Sequence, residues 1–292
     1  MANGATPDRI GEMPRDAARR VQVGLVGRGI QLSRTPAMHV AEGQALGLDY
    51  HYDLIDADAM DRGRSLADIL DHAEAEGFAG LNVTFPFKRD VMDLLDELSP
   101  AAGKVGAVNT VVFTEGRRRG HNTDFWGFSE SLRRGLPDAE KDAVLLLGAG
   151  GAGGAVAHAL RDVGVRNLMI FDVDADAAEA LAAAVSGTAV RDLGQAAAAA
   201  QGIVNATPMG MAKLPGMAIP ADLIEARHWV SDIVYFPRET ELLATARARG
   251  CRVLDGSGMA VFQAVRAFEL FSGLVPDPNR MRATFEAFTD PS

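Results

Sequence analysis

The stretch GLNVTFPFK, Gly80 to Lys88, ends in a lysine, and GHNTDFWGF places an aspartate at position 124. Pro86 fits the first turn of a helix, where a missing amide donor costs nothing, so the spacing predicts a helix over Pro86–Leu98. Lys88 then falls in that first turn, where the macrodipole disfavours a cation and makes a lysine easier to deprotonate, with Thr84 as a cap. Asp124 stands at the expected start of another helix, where a carboxylate stays ionised. An amine and a carboxylate so placed could move a proton. Taken singly, each residue also fits a plainer role, a solvated lysine and a helix cap.

A second pattern needs no titrating group. Gly148, Gly150 and Gly153 form G-x-G-x-x-G, with Ala149, Gly151 and Ala152 between them and the apolar AVLLL before them. A strand, a glycine turn and a helix in this order let a pyrophosphate rest on bare backbone amides at a positive helix end. Asp172 closes the following strand, nineteen residues after Gly153. A carboxylate there accepts hydrogen bonds from adenosine ribose hydroxyls and repels a 2′-phosphate, and no Arg or Lys follows until Arg191. NAD is therefore expected and NADP disfavoured. Asp174 and Asp176 read as caps or solvated acids at the start of the next helix.

Two α/β units must position these groups. The runs VQVGLVG, LDYHYDLI, AGLNVT and GAVNTVVF alternate with helical spacing over Thr35–Leu46, Ser65–Glu76 and Pro86–Leu98, which favours a parallel sheet. The second unit carries DAVLLLG, RNLMIFD, GIVNAT, HWVSDIVY and RVLDG as strands. ETELLATARARG is helical, alanine-rich GQAAAAAQ has high helix propensity, and GMAVFQAVRAFELFSG forms an amphipathic helix. The expected divisions are a mobile tail over 1–20, an α/β substrate domain over 21–123, a dinucleotide-binding domain over 124–256, and a C-terminal helix and tail over 257–292.

Composition narrows the partners. With 39 acidic and 29 basic residues, the 292-residue chain has a formal net charge of -10, which argues against nucleic acid. An acidic ligand must be recognised locally, by hydroxyls, amides or single cations. The lone Cys251 excludes an intramolecular disulfide and a cysteine-rich zinc site. No leader or membrane-spanning run is visible, so a cytoplasmic protein with no membrane partner is expected. His121 has no second histidine at ligand spacing, and no metal is expected. Trp126 and Phe128 would anchor the linker helix. Tyr235 either reaches the cleft or packs at a strand end, and Met209, Met211 and Met259 line either core or pocket.

GLNVTFPFK, GAVNT, GHNTD, GAGGAGG, NATPMGM, DIVYFPRET and GMAVFQA follow one another in the order and approximate spacing of shikimate dehydrogenases, and from Val21 to Gly273 the chain resembles that family. The resemblance implies an N-terminal α/β substrate domain, a Rossmann domain and a C-terminal helix returning to the first domain. It implies that Lys88 and Asp124 are the catalytic pair, Lys88 exchanging the proton of a ring hydroxyl. Asn82, Thr84, Asn109 and Gln263 would hold ring hydroxyls, and Ser33 and Thr35 the carboxylate. Thr207, Pro208, Met209 and Met211 would line the nicotinamide side, with backbone contacts from Ile233 and Gly256.

The substrate so implied is a hydroxylated cyclohexane or cyclohexene carboxylate. SRTP and FDVD stand where biosynthetic members carry Ser-x-Ser-Pro and an NADP clamp, and both resemble the NAD-dependent quinate/shikimate dehydrogenases of catabolic pathways. GRG replaces the usual Gly-x-Pro ahead of the first loop. Interconversion of quinate with 3-dehydroquinate and of shikimate with 3-dehydroshikimate is the leading expectation. The alternatives are a biosynthetic shikimate dehydrogenase and a non-catalytic dinucleotide-responsive protein; the latter would be expected to lose Lys88 or Asp124, and both are present. The resemblance leaves a homodimer open.

Overall fold

The computed structural model describes residues 18–58 and 64–288, so most of the expected N-terminal tail lies outside the described residues. The chain enters at β1 (Arg20–Gly27), one residue before the expected boundary, and continues through α1 (Thr35–Ala45), β2 (Asp49–Asp56), α2 (Leu66–Ala75) and β3 (Gly80–Val83). After β4 (Glu97–Leu98) and α3 (Pro100–Val105), β5 (Thr110–Thr114) and β6 (Arg117–His121) complete the first sheet. Its order is β2-β1-β3-β5-β6-β4.

Two expectations need correction here. The sheet is mixed: β2, β1 and β3 run parallel, but β5 is antiparallel to both β3 and β6. The reversal comes from the two-residue turn Glu115-Gly116, whose φ values of 53° and 68° suit a tight hairpin. Nor does a helix begin at Pro86. Residues 85–89 form turns and Asp90–Leu94 a short 3-10 helix. The Lys88 carbonyl accepts from Val108 N at 2.8 Å, and Asp96 N donates to Arg118 O at 2.9 Å. Long-range backbone contacts thus take the groups a helix would use, and the macrodipole argument for Lys88 falls away, as does a capping role for Thr84.

Helix α4 (Thr123–Gly135) leads into the second sheet, formed by β7 (Ala143–Leu147), β8 (Asn167–Phe171), β9 (Thr188–Ala189), β10 (Gly202–Asn205), β11 (Trp229–Asp232) and β12 (Arg252–Leu254). All are parallel, in the order β12-β11-β10-β7-β8-β9. Helices α5 (Gly151–Asp162), α6 (Ala175–Val185), α7 (Leu193–Ala199) and α8 (Glu241–Ala248) are interleaved with them. Two apolar clusters cover opposite faces, which is why β7, β10 and β11 are buried throughout.

Helices α9 (Ser257–Ser272) and α10 (Pro278–Glu286) return to the first sheet, where Phe262, Phe268, Phe271 and Phe285 join Val21, Val23, Met38 and Tyr50. The fully buried Glu42 of α1 fastens α10. It accepts from Arg280 Nε at 2.6 Å, Arg280 Nη2 at 2.9 Å and Asp277 N at 2.8 Å. Paired in this way, the buried carboxylate is not left uncompensated.

His39 sits in the same core, fully buried, with Nδ1 3.0 Å from the Tyr50 hydroxyl and the rings of Tyr52 and Phe268 beside it. Burial lowers its pKa to about 3 from 6.5. His121 is lowered to about 4 by burial, then by the charges of Arg119 and Arg266. As pH falls through 6.5, the unfolded chain gains protons that the folded chain refuses, so stability drops with acid. One such group contributes a slope of up to about 1.4 kcal/mol per pH unit. His39→Gln should flatten the decline of the urea-unfolding free energy between about pH 7 and pH 5. Equal slopes for the two proteins would contradict the assignment.

Candidate functional site

Ligands of open parallel sheets bind beyond the carboxyl ends of the strands. Ser33 and Thr35 follow β1, while Thr84 and Lys88 follow β3. The β5–β6 hairpin obeys the same geometry in reverse. Thr110, at the start of β5, pairs with Asn82 of β3 and with His121 at the end of β6, so Asn109 and the first turn of α4 arrive at the same edge. A wholly parallel sheet would not have delivered Asp124 there.

Lys88 Nζ donates to Asp124 Oδ2 at 2.6 Å, with the two side chains 24% and 14% exposed. Such charge-assisted bonds are short and strong, and the pair remains open on one side. Asn122, not Asp124, caps α4, accepting from Phe125 N at 2.9 Å. Asp124 is therefore free of the capping role and faces the lysine.

Behind the pair lies a buried amide–hydroxyl network. Asn109 Oδ1 accepts from Thr123 N at 2.7 Å, and Asn109 Nδ2 donates to Thr123 Oγ1 at 3.0 Å. Asn82 Nδ2 donates to Thr110 Oγ1 at 3.0 Å, while Asn82 Oδ1 accepts from the Tyr52 hydroxyl at 2.8 Å. Asn82 and Asn109 thus serve one another's surroundings, with Asn109 Nδ2 retaining a second N–H. Gln263 projects from α9, its Nε2 donating to Ala260 O at 3.1 Å. That helix packs against α4 through the edge-on rings of Trp126 and Phe262.

Ser33 Oγ accepts from Thr35 N at 3.4 Å at the start of α1. Between them Arg34 is buried, its guanidinium 4.9 Å from the Phe285 ring centre and its Nη1 donating to Phe285 O at 3.4 Å. Tyr235 packs edge-on against the same Phe285 ring at 5.9 Å, with two-fifths of its surface exposed. Burial raises the pKa of its hydroxyl; Asp124 reinforces this, and Arg34 and Lys88 oppose it. Tyr235 follows β11, so the carboxyl end of the second sheet lies within electrostatic range of the Lys88–Asp124 pair.

The glycine pattern spans the turn from β7 into α5. A Cβ on Gly153 would lie 2.2 Å from Gly148 O, so only glycine allows the helix to start this close. Gly150 is the N-cap and offers no side chain, leaving the first-turn amides of Gly151, Ala152 and Gly153 without intrahelical partners, and a Cβ at Gly150 or Gly151 would meet nothing within 4 Å. This bare, open helix end fits a pyrophosphate. Asp172 directly follows β8, with Oδ2 accepting from Ala149 N at 2.6 Å and Oδ1 from Asp174 N at 2.9 Å. Asp174 caps α6 and Asp176 lies in its first turn, as expected.

Thr207, Pro208, Met209 and Met211 form the turn after β10. Asn205 organises it: Oδ1 accepts from Thr207 N at 3.1 Å and Thr207 Oγ1 at 2.7 Å, while Nδ2 donates to Met209 O at 3.0 Å and Asp232 Oδ1 at 2.9 Å. Burial raises the pKa of Asp232, opposed by Val234 N, the Thr240 hydroxyl and Asn205. Gly256 abuts Ile233, where a Cβ would come 2.4 Å from the carbonyl oxygen. Reading the sequence singled out neither Asn205, Asp232 nor Thr240, nor Tyr52, Thr110 and Thr123. The signal for five of these was the polar residues within NATPMGM, DIVYFPRET, GAVNT and GHNTD, whereas Tyr52 lies in the strand run LDYHYDLI. Among the described residues no cluster of histidine, cysteine and carboxylates could hold a metal, and no helix is long and apolar enough to cross a membrane.

Residues 25–111 match the family model of the shikimate dehydrogenase substrate binding domain. The chain is 52% identical over 276 residues to the quinate/shikimate dehydrogenase (NAD(+)) of Corynebacterium efficiens, covering 91% of this chain and 97% of that protein. It is 50% identical over 273 residues to the shikimate dehydrogenase (NADP(+)) of an Arthrobacter species, covering 90% and 93%. The structure of quinate dehydrogenase from Corynebacterium glutamicum in complex with NAD matches with a TM-score of 0.89 and 48% identity, over 92% of this chain and 100% of that one. Similarity of this extent across both sheets and the intervening site makes the chain a member of the shikimate dehydrogenase family.

Proposed function

We propose that the protein oxidises quinate and shikimate at a ring secondary alcohol with NAD, and reduces the corresponding ketones in reverse. The observation that carries this reading is the 2.6 Å Lys88–Asp124 contact at the carboxyl edge of the first sheet. Lys88, entering as the amine, takes the hydroxyl proton as the carbon–oxygen double bond forms; in reverse its ammonium returns that proton to the ketone. Asp124 orients the lysine, stabilises the ammonium and accepts from a neighbouring ring hydroxyl. When bound, NAD supplies the hydride acceptor. Gly150 to Gly153 would hold its pyrophosphate, Asp172 its adenosine ribose, and the Thr207–Met211 turn with Ile233 and Gly256 its nicotinamide side.

Asn82, Thr84, Asn109 and Gln263 would take the other ring hydroxyls, and Ser33 and Thr35 the carboxylate. Recognition by neutral donors suits a protein whose net charge of -10 repels acids at a distance. A reducing, cytoplasmic setting agrees with the single buried Cys251.

Relatives named for NAD and for NADP are 52% and 50% identical to this chain, so overall similarity does not choose the cofactor. Asp172 does. A 2′-phosphate would meet its carboxylate, with Val173, Asp174, Ala175 and Asp176 next in the chain and no cation among them.

Lys88→Ala should lower kcat by ~10²–10⁴-fold with either acid while calorimetry finds NAD affinity nearly unchanged. Asp124→Asn should also cut turnover severely, since it keeps the shape and removes the charge. More than half the wild-type rate in Lys88→Ala would remove the lysine from the mechanism. For the cofactor, the unmodified protein should prefer NAD by at least about tenfold in kcat/KM. Asp172→Asn should narrow that ratio from both sides. The ratio is the proper readout because Asp172 also holds Ala149 N, and loosening the glycine turn would affect both cofactors alike. An unchanged ratio would mean that Asp172 is not the ribose contact.

A further inference from the structure

The loop between β1 and α1 has little apolar burial to fix it. Arg28, Gly29, Gln31 and Leu32 are exposed and Ser33 is half-buried, leaving Ile30 and Arg34 as its buried residues. Its path is nevertheless tied on two sides. Arg28 N donates to Phe85 O at 3.0 Å, in the turn that carries Lys88. On the other side Asp56, at the end of β2 and only 8% exposed, accepts from Gly29 N at 3.3 Å and from Gln31 Nε2 at 3.0 Å, and also from Asp58 N at 3.1 Å. These donors, led by Gln31, lower the pKa of Asp56.

Gly29 has φ +63°, a conformation proline cannot adopt, and its N–H is a donor that proline lacks. This chain's GRG therefore gives the loop a course of its own, set by the Asp56 carboxylate. The tether continues into the residues ahead of α1: Ser33 N donates to Ile30 O at 3.0 Å, and Thr35 N donates to Ser33 Oγ. Asp56 itself points at the loop backbone and Gln31, and its charge is met by donors within the protein.

We propose that Asp56 is a positioning residue for the carboxylate end of the substrate, fixing loop residues 28–34 so that Ser33 and Thr35 face the ring carbon that bears the carboxylate. The inference rests on the reading of Ser33 and Thr35 given above. Quinate is tetrahedral at that carbon and carries a hydroxyl there, whereas shikimate is planar. A loosened loop should consequently alter the two substrates unequally, while the distant glycine turn and the Lys88–Asp124 pair keep their geometry.

The test uses the full-length protein with NAD. Asp56→Asn turns one of the two acceptor oxygens into a donor that opposes Gly29 N–H or Gln31. It should raise KM for quinate and shikimate about tenfold or more, change their ratio of kcat/KM, and leave kcat, NAD affinity and the thermal unfolding midpoint close to wild type. Gln31→Ala, at an exposed side chain, should move KM the same way by less, and serves if Asp56→Asn does not fold. Combining Asp56→Asn with Gln31→Glu lets the new amide donate to the new carboxylate and should recover most of the lost KM. Unchanged KM for both acids in Asp56→Asn, or in Gln31→Ala if that variant stands in, would overturn the proposal. So would a KM increase accompanied by equal loss of NAD affinity, or absence of rescue in the double variant. Ser33→Ala run in parallel separates the two levels. If it raises KM and Asp56→Asn does not, the positioning role alone fails; if neither does, the carboxylate assignment fails with it.

Discussion

A lysine and an aspartate 2.6 Å apart are useful for proton transfer only if something other than their own attraction holds them at that separation when substrate arrives. In this fold the constraint is set by backbone. The Lys88 carbonyl is fixed by Val108 N, and the Asn109 side chain, one residue on, holds Thr123 N at the first residue of α4. Asn109 thus couples the turn bearing the lysine to the helix bearing the aspartate. Because Asn109, Thr110 and Thr123 are almost wholly buried and hydrogen-bonded together, displacing any one would strand polar groups away from water.

The second sheet applies the same economy to a different problem. Asn205 and Asp232 spend their side chains on backbone and on each other, shaping the turn after β10, while the glycine turn after β7 keeps its amides open. One strand end is thereby made rigid and its neighbour receptive. Asp172 takes part in both tasks, since the carboxylate assigned to the ribose also anchors Ala149. Phe285 contacts both Arg34, ahead of α1, and Tyr235, after β11, so α10 touches elements of both sheets.

Elements whose shape is decided locally were legible in the sequence. The apolar strands around the glycine pattern, the helix within Ser65–Glu76 and the amphipathic C-terminal helix all follow from short-range pattern, and Lys88 and Asp124 were found as a pair through the motifs that contain them. Elements decided by distant partners were not legible. The Pro86–Leu98 segment has helical spacing, yet Glu97 and Leu98 pair with β6 and the Lys88 carbonyl accepts from the distant Val108 N. The Glu115-Gly116 turn, although short, reverses the sheet and brings α4 to the site. Asn205, Asp232 and Asp56 acquire their roles only when other strand ends come alongside, and spacing along one chain carries no sign of that.

That Lys88 exchanges a proton, and does more than carry a charge, is tested most directly by chemical rescue of Lys88→Ala during NAD-linked oxidation of quinate and shikimate. The account predicts that a small primary amine such as methylamine restores turnover in proportion to its concentration, and that tetramethylammonium, which has the charge but no transferable proton, does not. Equal restoration by both cations, or turnover in Lys88→Ala as fast as in the unmodified protein with neither present, would contradict it.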